Sequence, residues 1–143
     1  MPETPALRLL AEDADDLGVI SAALQDAVGQ IGDISYEPDE RRITLVLNRF
    51  RWEAEAPGAE RVRAALQFGS VMAVKARNLK REQPEAVVEL LAVDFEPGDA
   101  PGGGVLLHFA GGGDLHLEVE CIDAAMADLS DPWPCKRAPA HGE

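Results

Sequence analysis

Arg61-Val62-Arg63-Ala64-Ala65-Leu66-Gln67-Phe68-Gly69-Ser70-Val71-Met72-Ala73-Val74-Lys75-Ala76-Arg77 is the stretch that decides the fold. Val62, Ala64, Leu66, Phe68, Met72, Val74 and Ala76 share one parity, while Arg61, Arg63, Gln67, Lys75 and Arg77 hold the other. A period of two sends successive side chains to opposite faces, so this is β structure with one buried and one wet face. Strands usually run roughly 3–10 residues, so the stretch must bend, or break into a hairpin, at Gly69-Ser70.

Upstream, Arg41 to Trp52 reads as another strand, with Ile43, Leu45 and Leu47 on one face. Arg49 and Arg51 continue that parity while Phe50 and Trp52 take the other, which predicts a bulge near Asn48. Gly32 to Tyr36 is a further strand, joined through a proline-led turn at Glu37 to Glu40. A helix is predicted from Asp13 to Val28, on the stripe Leu17, Ile20, Leu24, Ala27 and Val28, with Asp13, Asp15 and Asp16 in its first turn. Leu7 to Leu10 is a short opening strand.

Downstream, Glu85 to Phe95 is a strand and Glu96 to Gly102 a loop. Val105-Leu107-Phe109 and Leu115-Leu117-Val119 form a hairpin, whose loop at Gly111 to Gly113 pairs Phe109 with Leu115. Ile122, Ala125, Met126 and Leu129 lie at helical spacing and predict a short closing helix. The expected class is α+β: a mostly antiparallel sheet of about six to seven strands with an N-terminal helix and a short C-terminal helix. The order allows a partly open barrel of pleckstrin-homology-like arrangement. One globular domain is expected over residues 1–134, with a disordered tail over 135–143.

The composition, 46% hydrophobic and 27% charged, is that of a globular protein and excludes disorder. No run approaches the ~20 apolar residues of a membrane helix, and the N-terminus lacks a signal-peptide pattern, so no membrane association and a cytoplasmic location are expected. Two cysteines, Cys121 and Cys135, are too few for a disulfide framework. Charge is uneven: residues 1–40 carry a net −9, residues 41–81 a net +7 and residues 82–143 a net −11, within a total of −13.

The central cations fall in alternate pairs, Arg49 with Arg51, Arg61 with Arg63, and Lys75 with Arg77. Each pair shares a strand face and can present two cations together, with Trp52 and Phe50 beside the first. These seven candidates, Trp52 included, point to an anionic ligand, RNA or an acidic protein surface. The plainer reading makes them surface ion pairs with the acidic segments. A second expectation concerns metal: the hairpin register sets His108 against His116, with Asp114 and Glu118 on the same face. No standard zinc spacing accompanies them, and a solvated strand face explains the same residues. The glycine triplets at 102–104 and 111–113 lack the lysine and helix of a phosphate loop, so they are turns. No serine or cysteine has a nucleophile context, no cofactor motif is present, and binding is expected in place of catalysis.

Several stretches read together: Leu7-Arg8-Leu9-Leu10-Ala11-Glu12-Asp13-Ala14, Ile20 to Ala27, Leu47-Asn48-Arg49-Phe50-Arg51-Trp52-Glu53, Phe109-Ala110-Gly111-Gly112-Gly113 and Leu117 to Ala124, with Pro132-Trp133 beyond. Through them the chain resembles the bacterial domain of unknown function 2948 family (DUF2948) over roughly residues 7 to 133. The resemblance implies a single-domain bacterial protein with no assigned activity, so no catalytic residues carry over.

Overall fold

The computed structural model describes residues 6–53 and 59–135. β1 (Arg8–Ala11) leads into α1 (Ala14–Ala23), then β2 (Ala27–Glu37), a 3-10 turn (Pro38–Glu40) and β3 (Arg42–Phe50). β4 (Glu60–Phe68), β5 (Val71–Arg77), β6 (Val87–Pro97), β7 (Gly103–Phe109), β8 (Asp114–Val119), β9 (Ala124–Asp128) and β10 (Trp133–Pro134) follow. All pairings are antiparallel, in the order β1-β9-β4-β3-β2-β6-β7-β8-β5, with β10 on β4.

The class therefore differs from the α+β expectation: the described residues hold ten strands and one helix, a mainly β chain. The predicted closing helix is β9. Its residues fit a helical stripe, but Ala124 and Met126 also alternate into the core, and both edges find partners, β1 and β4. Pairing on two sides outweighs the helix propensity of alanine, which is a weak local preference. Without that helix the pleckstrin-homology-like comparison fails. The expected tail, apart from Cys135, lies outside the described residues.

α1 forms where predicted but stops at Ala23. The Asp13 carboxylate accepts from the Asp16 N–H at 2.8 Å, and Leu17 and Ile20 face the core. At Asp26 the chain enters the left-handed region (φ 65°) and becomes strand. Ala27 and Val28, which extended the helical stripe, instead pair with Leu90 and Glu89 of β6.

Arg61 to Arg77 bends and does not form a hairpin. Ser70 (φ 57°) makes the corner, and the partner chain bends with it. β4 pairs with β9 from Ala64–Asp128 to Phe68–Ala124, the Gly69 N–H donates to the Asp123 carbonyl, and β5 continues on β8 from Val71–Val119 to Arg77–Asp114. The register slips between Val71 and Ala73, so Met72, expected inside, is exposed. Two long bent strands thus run together through both halves of the sheet. Because β4 also pairs with β3, the pairings wrap around a single apolar cluster that includes Leu45, Leu66, Leu107 and Leu117. α1 contributes Leu17, Ile20 and Leu24 to that cluster.

The expected bulge near Asn48 is absent. β3 keeps its register on β4 from Ile43–Phe68 to Phe50–Arg61, and the irregularity lies in β2, between Gly29 and Ile34. The last hairpin keeps its faces but not its predicted register: Leu107, not Phe109, opposes Leu115. The Phe109 N–H donates to the Gly113 carbonyl, closing a loop whose Gly111 (φ 87°) and Gly112 (φ 90°) occupy conformations that side chains disfavour.

Candidate functional site

The six cations do not converge. Unbroken alternation along β3 sends Arg49 inward behind Ile43, Leu45 and Leu47, where its side chain is 0% exposed. A buried guanidinium needs partners, and it has two carboxylates. Arg49 Nε donates to Asp128 Oδ1 at 2.8 Å and Nη2 to Asp128 Oδ2 at 2.9 Å. Its Nη1 and Nη2 also donate to Glu53 Oε1 and Oε2 at 2.9 and 2.7 Å. The planar fork of arginine fits two bidentate pairs at once. Asp128 Oδ2 further accepts from the Leu7 N–H at 2.9 Å, tying β1, β3 and β9 together. Arg51 joins the group through Glu60 and, at 3.8 Å, Glu53. These two arginines hold the fold, and neither is free for a ligand.

Burial opposes the charge on Arg49, but hydrogen bonds to Asp128 and Glu53 overcome it and hold its pKa above the ordinary arginine value. The hydrogen bonds from Arg49 hold the Glu53 carboxyl below its ordinary 4.5, against the opposing effect of burial. A depressed carboxylate stabilises fully above its unfolded pKa, and that contribution disappears as pH falls through the folded value. Urea midpoints between about pH 3 and pH 6 therefore fall less steeply on acidification for Glu53→Gln than for the parent chain. Superimposable slopes contradict the assignment. The effect is modest because Glu53 is partly solvated.

Arg61 and Arg63 point the other way, to the outer face of the sheet formed by β1, β9, β4 and β3. Arg61 Nη1 donates to the Asn48 carbonyl at 3.0 Å and to that of Asp26 at 3.4 Å. Arg63 lies 3.9 Å from Asp33 at the margin. The pairings set this face out in rows. Phe50, Arg61 and Trp133 share one, and Asn48 and Arg63 share the next, with the Leu129 N–H on the Arg63 carbonyl. Val46, Ala65, Ala127 and Arg8 form a third, and Thr44, Gln67, Ala125 and Leu10 a fourth. The rows hold three arginines and no carboxylate, in a chain with 26 acidic residues. Three large apolar side chains of this face are open to solvent, Leu10 at 73%, Leu129 at 57% and Trp133 at 37% exposed, while Phe50 is buried. Trp52 is held by its Nε1–H on the Gln25 carbonyl at 3.1 Å and packs edge-on against Phe50, ring centroids 4.6 Å apart.

Lys75 and Arg77 stand on β5, at the other end of the strand order. Arg77 pairs with Asp114 at 2.6 Å, and Lys75 opposes His116. The predicted His108–His116 juxtaposition is not formed. His108 opposes Asp114 and lies 3.1 Å from Asp94, while His116 opposes Leu106 and lies over Gly104, its Nε2 2.5 Å from where a Cβ would stand. Among the described residues no three His, Cys, Asp or Glu side chains gather as a metal set. Cys121 sits at the β8–β9 corner, its thiol 3.8 Å from the Ser70 hydroxyl. Asp128 and Glu53 were missed by sequence reasoning. The signal was there: an arginine on an unbroken apolar parity demands a buried carboxylate.

Geometry thus defines a class: a mainly β domain with a wrapped antiparallel sheet, an internal ion cluster and one arginine-bearing apolar face. The family model for the protein of unknown function DUF2948 matches residues 7–141, and the chain belongs to that family. Comparison with curated proteins and with solved structures returned no match. No helix among the described residues is long and apolar enough to cross a membrane.

Proposed function

We propose that this protein is a non-catalytic interaction domain that docks an acidic, apolar-faced protein segment on the outer face of β1, β9, β4 and β3. The observation that carries the reading is that face: exposed Leu10, Leu129 and Trp133 around a floor of Ala65, Ala125, Ala127 and Val46, edged by Arg8, Arg61 and Arg63, the last of them 3.9 Å from Asp33 at the margin. A solvated antiparallel face is normally polar at alternate positions, so apolar residues there favour a covering partner. Four strands at about 4.8 Å span about 19 Å, and seven residues along β4 about 20 Å, room for one helix of roughly four turns. The arginines select a partner with carboxylates beside its apolar stripe.

RNA is the weaker reading of the same cations. Base stacking needs several open aromatic faces, whereas on these rows Trp133 is the one exposed aromatic residue, Phe50 is buried, and the nearby Trp52, 38% exposed, packs edge-on against Phe50. The test uses two labelled helical peptides of equal apolar content, one with glutamates and one with lysines on the polar face. The acidic peptide is expected to bind at least tenfold more tightly and to weaken with salt. Arg8→Glu with Arg63→Glu, or Leu129→Asp, should abolish the preference. Equal binding of both peptides, or competition by poly(U) but not by the acidic peptide, overturns the proposal.

A further inference from the structure

Among the described residues the wrapped sheet has a seam, left unpaired along one side of β5. Past Phe68 the chain turns away from β3 at Ser70, so β5 pairs only with β8 and ends the sheet. On the facing side, β2 leaves β6 after Gln30 and slips its register on β3 between Gly29 and Ile34. The seam is tied at both ends. The Val71 N–H donates to the Arg41 carbonyl at 2.9 Å, and the Gly32 N–H donates to the Pro84 carbonyl at 2.8 Å. Between the ties lies a cavity of about 360 Å³.

Its chemistry is two-sided. Ile43 and Leu115 are its buried part, and Ile31, Ile34, Val74 and Leu79 are core-contacting side chains left partly open to solvent there. These are apolar groups that the fold brings together without covering, and water against them is unfavourable. Arg81 is the one charged residue of the lining. Among the described residues its side chain has no hydrogen bond or ion pair, while Arg41, Arg42, Arg49, Arg51, Arg63 and Arg77 are each matched to a carboxylate. Glu82 and Glu85 of the same connection do not line the cavity. Its volume falls at the small end of ligand cavities, which span roughly 300–1,000 Å³, and an apolar chamber with a few polar groups is their usual form, here Arg81 and Tyr36 at exposed positions of the lining.

We infer that the seam between β2 and β5 is a binding site for a small amphipathic anion, an aliphatic or aromatic body that fills the chamber and a carboxylate that meets Arg81. The site is separate from the docking face, and none of its lining residues lies in that face's rows. A ligand here bridges β2 to β5 and so closes the sheet where its own strands do not meet.

Methyl and amide NMR titration of the full chain tests it, with decanoate and decylammonium, each below its micelle concentration. Decanoate is expected to shift the methyl signals of Ile34, Val74 and Leu115 saturably, with decylammonium at least tenfold weaker. Arg81→Ala should bring decanoate to the level of decylammonium, and Val74→Trp should remove saturable binding. If the tryptophan variant does not fold, Ala76→Phe is the second filling substitution. Arg8→Glu, in the docking face, should leave the decanoate titration unchanged. Absence of saturable binding, equal affinity for both amphiphiles, or indifference to both filling substitutions overturns the inference.

Discussion

Arg49→Ala is expected to lose about 3–5 kcal/mol of folding stability, a large part of the roughly 5–15 kcal/mol that holds a domain together. The loss comes less from missing attraction than from what remains. Asp128, 4% exposed, keeps a carboxylate in the interior with its guanidinium partner gone. Urea denaturation gives the number, and a double-mutant cycle gives its origin. Arg49→Ala combined with Asp128→Ala should cost less than the two single losses added, because the second change removes the stranded charge. Arg49→Lys should recover little, since one ammonium cannot make two bidentate pairs. Additive losses, or a loss below about 1 kcal/mol for Arg49→Ala, count against the buried cluster as a structural tie.

Phe68→Ala is the other large effect, expected at about 3–5 kcal/mol. Phe68 is 1% exposed and is the last residue of β4 before the corner, opposite Ile43 on one side and Ala124 on the other. Its ring belongs to the apolar cluster shared by both halves of the wrapped sheet, so a cavity there weakens both. Hydrogen exchange of amides in β3 and in β8 should accelerate together. Acceleration confined to β3 and β4 contradicts a continuous bent pair of strands.

The same elements show how far the chain could be read in advance. Alternation over Arg61 to Arg77 announced a long strand that must bend or break into a hairpin at Gly69-Ser70, and the structure takes the bend, at Ser70. The α1 start was legible in Asp13, whose short side chain finds a free N–H three residues on. The β9 segment was not, because alanines satisfy helical and strand spacing equally and only paired neighbours choose between them. The hairpin faces were legible and its register was not: a shift of two residues keeps every inward side chain inward, so parity cannot detect it. That shift parts His108 from His116.

For the candidate sites the division is sharper. Local spacing placed Arg49 and Arg51 on one face of a strand, but a charge was assumed to point outward. Its inward direction depends on Asp128, 79 residues later. The outer face needs β1, β9, β4 and β3 side by side, and the seam needs β5 to part from β3 while β2 parts from β6. The amino-acid sequence by itself determined most of the alternating strand segments, which of their side chains share a face and how charge is divided along the chain, because these depend on neighbours within a few residues. Which faces meet, which arginines are matched and where the sheet stays open were decided only by the tertiary structure, since each rests on pairing between segments whose register no local pattern encodes.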